Sequence, residues 1–158
     1  MYIEVVRRFA STDNIDLMDL QLSLTMEDIS HDLKLIVQEY FKIYFSKIHV
    51  IRIFISGIIQ FEELREFGYV VIPVLEQHFK EYLNEIQARR IVKVKDIEII
   101  SSFFMSTIMR DVSQLTTFKK IESYDENVAE LTNAMWEKRI DFFCKEFIEY
   151  LEKGPSES

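Results

Sequence analysis

The clearest structural signal in the chain is the segment DLKLIVQEYFKIYF, which spans residues 32–45. Its large apolar residues recur at intervals of three and four: Leu33, Ile36, Val37, Tyr40, Phe41, Tyr44 and Phe45. Because an α-helix has about 3.6 residues per turn, this spacing places all of them on one face, away from the charged residues. The segment therefore predicts a long amphipathic helix. Thr25, followed by Glu27 and Asp28, predicts its N-terminal cap.

Similar apolar stripes predict three more helices towards the carboxyl end. One runs from about Tyr69 to Arg90, with Pro73 tolerated in its first turn. Asp96 predicts the cap of the next, which ends near Arg110. The residues expected to face inward from it are Ile99, Ile100, Phe103, Phe104, Thr107 and Ile108. The last predicted helix runs from about Glu126 to Lys153 and stops at Gly154-Pro155.

Other segments are less clear. Residues 2–10 carry a shorter stripe, which predicts a first helix, whereas residues 15–24 fit no single pattern. Residues 48–59 are rich in β-branched side chains, which favour a strand, but they also satisfy the helical spacing. We interpret residues 48–59 as a helix because the chain has no comparable partner strand, and a lone strand leaves its backbone groups unpaired.

Glycine and proline are scarce, with three and two copies in 158 residues. Sheet folds need many tight turns, which draw on both residues, so this scarcity favours helices with few connections. The glycines also lie too far apart to form a phosphate-binding loop. The sequence predicts one all-α domain over residues 1–154, a bundle of about six helices, followed by a disordered tail at 155–158.

Charge, cysteine content and hydrophobicity indicate which partners and which cellular compartment to expect. The net charge is −8 and no basic cluster stands out, so we expect no direct contact with nucleic acid by these residues. The single cysteine, Cys144, cannot form an internal disulfide, which fits a reducing cytoplasm. The longest apolar stretch, residues 48–61, is interrupted by His49 and Arg52 and is too short to span a membrane.

The order of helices resembles the carboxy-terminal ligand-binding and dimerisation domain of the TetR family of bacterial transcription regulators. The helix with Pro73 and Phe79-Lys80-Glu81-Tyr82-Leu83 resembles the family's proline-started helix, and residues 89–95 resemble its exposed turn. The segment DIEIISSFF, residues 96–104, resembles its penultimate helix, and Phe142 to Leu151 resembles its last one. The family's amino-terminal helix-turn-helix sequence has no match in this chain. Residues 1–10 would then be the helix that joins the two domains.

This resemblance implies a ligand pocket inside the bundle, for a hydrophobic or aromatic small molecule. The candidate lining residues are Tyr44, Phe54, Ile58, Phe61, His78, Phe79, Phe103, Met105 and Met109. Large apolar residues at helical spacing are more often ordinary core packing, so a filled core is the competing interpretation. His78 and the tyrosine hydroxyls could orient a ligand or could bond to other protein groups.

The resemblance also implies a homodimer, in which the last two helices pack against their symmetry mates. The candidate interface residues are Phe104, Ile108, Val112, Trp136, Ile140 and Phe143. Trp136 is the strongest candidate for an anchor because charged residues flank it in the sequence, although it could equally fill the core of its own chain.

Catalysis and metal binding have little support in the sequence. His31, His49 and His78 lie too far apart to place two ligands on one helical face, so we expect no metal and no cofactor. Cys144 sits among aromatic residues with no activating base nearby, which predicts an inert thiol rather than a nucleophile. The sequence therefore predicts the regulatory domain of a TetR-type regulator and not an enzyme. The alternative is a helical protein-interaction module with a filled core and no small-molecule ligand.

Overall fold

The computed structural model of the chain describes residues 15–48, 71–89, 92–94 and 96–152. These residues form five α-helices and no strand. The helices are α1 (Met18–Ser23), α2 (Ile29–Ser46), α3 (Val71–Ala88), α4 (Ile97–Thr117) and α5 (Glu126–Glu152). The predicted all-α bundle is confirmed. The predicted helix at residues 2–10, the helix predicted at 48–59 apart from Ile48, and the predicted tail at 155–158 lie outside the described residues.

Helix α2 lies at the centre of the bundle. It packs against α1, α4 and α5, and α3 packs against α4. The Tyr82 hydroxyl of α3 donates to Asp32 at the start of α2, and the Tyr40 hydroxyl further along α2 reaches the Leu75 carbonyl near the start of the described part of α3. Helices α2 and α3 are therefore antiparallel.

Phe104 on α4 contacts an aromatic side chain from each of three other helices in the core. Its ring stacks on Phe79 of α3 with the centroids 4.0 Å apart, and it meets the edge of Trp136 of α5 at 5.3 Å and that of Tyr40 of α2 at 6.5 Å. All four side chains are fully buried. Each favourable aromatic pair contributes about 0.5–1.5 kcal/mol beyond the area that it buries, so this cluster fixes the mutual positions of four helices.

The caps of α2 and α4 show how well the sequence marks helix starts. Asp96 caps α4 as predicted, because its carboxylate accepts a hydrogen bond from the Ile99 amide at 3.0 Å. For α2 the capping residue is Asp28, which accepts from the His31 amide, and not Thr25. The Thr25 hydroxyl instead accepts from the Asp28 amide at 2.9 Å and so closes the turn before the helix.

Helix α4 differs from its prediction in length and in orientation. It continues past Arg110 to Thr117, because the inward positions Val112 and Leu115 extend its buried face by two turns. Ile99 and Phe103, which were predicted to face inward, are 67% and 60% exposed. They lie roughly opposite the buried face on the helical wheel, so α4 carries apolar residues on two sides. In the described part of the chain, no helix is both long and apolar enough to cross a membrane.

Candidate functional site

The predicted interior pocket falls on a closely packed part of the bundle. Tyr44, Phe79 and Met105 are buried, and the stack of Phe79 on Phe104 leaves no space between α3 and α4 at that level. His78 and Met109 are half-buried. The remaining candidates Phe54, Ile58 and Phe61 lie outside the described residues, and Phe103 faces the other side of α4. The structure therefore does not bring these candidates together around one described cavity.

His78 and Tyr40 bond to protein groups. The Tyr40 hydroxyl lies 2.7 Å from His78 Nδ1, and His78 Nε2 lies 3.0 Å from the side-chain oxygen of Gln21. Burial lowers the pKa of His78 and raises that of Tyr40, because both environments disfavour the charged form. This chain of contacts connects α1, α2 and α3. The neighbouring Tyr44 hydroxyl is buried and has no hydrogen-bond partner among the described residues.

The six predicted interface residues are buried within one chain. Phe104, Ile108 and Trp136 are fully buried, and Val112, Ile140 and Phe143 are at most 6% exposed. Trp136 fills the core of its own chain, where its Nε1 donates to Asp111 at 3.1 Å. These side chains offer almost no surface to a second copy. A dimer of this fold through the last two helices would instead use the side chains that point outward from them.

An aromatic and cationic groove lies on that outward side, between α4 and α5. Its volume is about 290 Å³, near the lower end of the range for small-molecule sites. The residues that line it are Phe103, Thr107, Arg110, Lys138, Arg139, Phe142 and Phe143. Three of the seven are cationic and none is acidic, in a chain whose net charge is −8. The groove therefore combines apolar rings with a local excess of positive charge.

The rings of the groove come from both helices. The centroid of Phe143 lies 6.2 Å from that of Phe103 and 6.1 Å from that of Phe142, with the planes tilted in both pairs. Phe143 is buried and forms the floor, whereas Phe103 and Phe142 are 60% and 55% exposed and form the walls. An apolar molecule placed between the walls would cover ring surface that is in contact with water in the single chain.

Asp111 lies beneath the groove and contacts two of its cationic side chains. Its carboxylate is 1% exposed, pairs with Arg139 and accepts from Trp136 Nε1, while Arg110 Nε lies 3.6 Å from its other oxygen. Arg139 also lies over the Trp136 ring, 5.2 Å from its centroid. Arg139 is thus held by one carboxylate and one ring. Arg110 is 60% exposed, and Lys138 makes no ion pair with any described residue.

Sequence reasoning missed the charged part of this groove. Arg110, Lys138 and Phe142 were not candidates, although Phe103 and Arg110 lie seven residues apart on α4 and Lys138 and Phe142 lie four apart on α5. Both spacings place the pair on one helical face. A search for an aromatic residue and a cation that share the face opposite the core stripe would have found all four residues.

A second groove, of about 250 Å³, lies between α1 and α3 and has the opposite charge. Its lining includes Glu81 and Glu85, and its one cation, Arg89, is paired with Glu85 at 2.8 Å. Within the described ranges, no group of three or more histidine, cysteine or acidic side chains is placed to hold a metal ion. Comparisons of this chain with protein-family models, curated proteins and solved structures find no match.

Proposed function

We propose that this chain is the regulatory domain of a TetR-type transcription regulator. In this proposal the domain forms a homodimer in the cytoplasm and binds a hydrophobic or aromatic small molecule, and a helix-turn-helix domain outside this chain contacts DNA. The observation that carries the proposal is the outward apolar face of α4 and α5. These are the helices through which the resemblance implies dimerisation.

Three side chains define this outward face. Ile99 and Phe103 of α4 and Phe142 of α5 are each more than half exposed, although all three are large and apolar. Single exposed apolar residues are common at protein surfaces, but a group of them on two adjacent helices is typical of an interface. A two-fold axis beside α4 and α5 would bring the same face of a second copy against this one and complete a four-helix interface.

Regulation would act as a shift between two arrangements of the bundle. An effector that binds one arrangement more tightly increases its population, and the dimer passes the change on as a different spacing of the DNA-binding domains. Since the interface helices α4 and α5 are joined through Trp136, Arg139 and Asp111, a ligand on their outward side is well placed to affect their packing.

Light scattering after size-exclusion chromatography tests the dimer. We expect the mass of a dimer for the parent chain and of a monomer for Phe103→Lys and Phe142→Lys, because each places a charge in the apolar contact and adds to the positive charge that the groove already carries. The matched control is Phe118→Lys. Phe118 is 81% exposed and follows the last residue of α4, fifteen positions along the chain from Phe103. A parent chain that is monomeric at high concentration contradicts the proposal.

The packed centre of the bundle favours a second candidate function, a protein-interaction module without a small-molecule ligand. The stack of Phe79 on Phe104 and the full burial of Trp136 place protein atoms where the expected pocket would lie. A thermal-shift screen with apolar and aromatic compounds separates the two candidates. A ligand of the folded state raises the melting temperature by mass action, whereas an interaction module gives no shift with any small compound.

A further inference from the structure

We propose that the groove between α4 and α5 binds an organic anion with an apolar body, such as an aromatic carboxylate. This inference rests on the proposed regulatory function, because it gives the effector a chemical class and a place. The carboxylate would pair with Arg110 and Lys138, and the apolar body would pack between Phe103 and Phe142.

The charge of the groove selects an anion. Asp111 neutralises one of the three cations in the lining, Arg139, with which it shares its closest ion pair. Arg110 reaches Asp111 only at 3.6 Å and is mostly exposed, and Lys138 has no ionic partner among the described residues. About two positive charges therefore remain over the groove. In a chain with net charge −8, this is an unusual concentration of positive potential, and it attracts anions.

The rings select a molecule larger than an inorganic ion. Phe103 and Phe142 stand on opposite helices with the buried Phe143 between them, each within about 6.2 Å of it. A flat aromatic body that contacts these rings gains both buried apolar area and favourable ring contacts. The volume of about 290 Å³ accommodates a bicyclic ring with one carboxylate. Phosphate or sulfate would use the cations but leave the rings in water.

The same charge pattern links the ligand to the dimer. In a two-fold interface whose axis passes beside this groove, Arg110 and Lys138 of one copy would lie near the same cations of the other, and like charges that approach each other oppose association. A bound anion neutralises them. By linkage, an anion that binds the dimer more tightly than the monomer must strengthen the dimer by the same factor. The effector would therefore tighten the association of the two copies.

Isothermal titration calorimetry with 2-naphthoate tests the site, and naphthalene-2-carboxamide is the uncharged control of equal size. We expect naphthoate to bind at least about tenfold more tightly than the carboxamide, and added salt to weaken only the naphthoate. The double variant Arg110→Gln/Lys138→Gln should bind naphthoate about tenfold more weakly than the parent. The control variant Lys42→Gln/Lys119→Gln removes two exposed cations elsewhere and should bind like the parent.

Sedimentation equilibrium with and without naphthoate supplies a second readout. We expect naphthoate to lower the dimer dissociation constant of the parent chain, and the Arg110→Gln/Lys138→Gln variant to dimerise more tightly than the parent without responding to naphthoate. If the parent is a dimer but naphthoate gives no heat and no shift, a second copy fills the groove and this inference is overturned while the dimer stands. If naphthoate binds a chain that is always a monomer, the groove is supported and the proposed dimeric function is overturned.

Discussion

Two carboxylates, Asp32 and Asp111, are buried in this bundle. The partners of Asp32 are uncharged, whereas Asp111 pairs with a cation. Asp32 accepts hydrogen bonds from four uncharged donors: the Thr25 amide, the Thr25 hydroxyl, the Met26 amide and the Tyr82 hydroxyl, all at 2.8–3.1 Å. Asp111 accepts from Trp136 Nε1 and pairs with Arg139, with Arg110 nearby. Their exposed fractions, 0% and 1%, are nearly equal. The two carboxylates therefore differ in the charge of their partners and not in their burial.

All four donors to Asp32 stabilise the connection between the turn before α2 and the helices beside it. Three of them come from the turn just before α2, where Met26 has a left-handed backbone with φ of 58°. A residue with a side chain adopts this conformation at a cost of about 1 kcal/mol, which the hydrogen bonds to Asp32 offset. The fourth, Tyr82, ties the turn to α3. Nothing that binds from solvent has access to this carboxylate, so its role is structural.

Asp111 is connected to the surface through its cation. The Arg139 side chain is 32% exposed and lines the groove between α4 and α5, so the carboxylate fixes a charge that a solute can reach. Burial alone therefore does not separate a structural carboxylate from one that supports a site. The useful distinction is whether its partners are uncharged groups that hold the fold or a cation that reaches a groove.

The largest effect is expected for Asp32→Ala. This change leaves the Tyr82 hydroxyl and the Met26 amide buried without an acceptor, and it removes the support of the Met26 backbone. We expect the free energy of unfolding to fall by about 4 kcal/mol. Urea unfolding followed by circular dichroism measures it. A loss below about 1 kcal/mol would mean that the turn opens to water and that Asp32 does not hold it.

A smaller loss is expected for Asp111→Asn, about 2 kcal/mol, since Arg139 can turn its guanidinium into water when the carboxylate charge is gone. Trp136 Nε1 still finds the amide oxygen. The same unfolding measurement with Arg139→Gln and the double variant gives the coupling between the two residues. If Asp111→Asn costs as much as Asp32→Ala, the charge of its partners does not set the cost of losing a buried carboxylate.

Tyr82→Phe tests the contribution of a single hydrogen bond to Asp32. It removes one of the four hydrogen bonds and leaves three, so we expect a loss of about 1 kcal/mol. Tyr44→Phe is the matched control, because the Tyr44 hydroxyl is equally buried but has no hydrogen-bond partner among the described residues. Its removal should be neutral or stabilising. Equal losses in the two variants would show that ring packing, and not the bond to Asp32, sets the cost.

Much of the fold could be predicted from the sequence, because periodicity reports directly on burial. The stripe from Leu33 to Phe45 is buried as expected, and Asp96 caps its helix. The short helix α1 was missed because six residues give too few repeats to show a period. The inward direction of Ile99 and Phe103 was wrong, since apolar residues occupy both faces of α4 and the sequence does not mark which one meets the core.

The candidate site was harder to predict for a related reason. Sequence patterns find apolar faces, but they do not distinguish a face that is packed from one that lines a groove, and the aromatic candidates Phe79 and Phe104 proved to be packed against each other. The pairing of Asp111 with Arg139 joins residues twenty-eight positions apart. No local spacing reveals such a contact, because it depends on how α4 and α5 are placed in space.

The smallest effect concerns His78, whose partners, like those of Asp32, are uncharged. Partial burial lowers its pKa below the ordinary value of about 6.5, so between these two values the unfolded chain binds a proton that the folded chain does not. The stabilisation is therefore complete above a pH of about 6.5 and is lost as the pH falls through that value towards the lower, folded-state pKa. Unfolding of the parent and of His78→Gln at pH 7.5 and pH 5.5 checks this at about room temperature. Between about pH 7.5 and pH 5.5 we expect the free energy of unfolding to fall less in the variant than in the parent. An equal fall in both would assign the pH dependence to other groups and leave the contacts of His78 with Tyr40 and Gln21 without an energetic role.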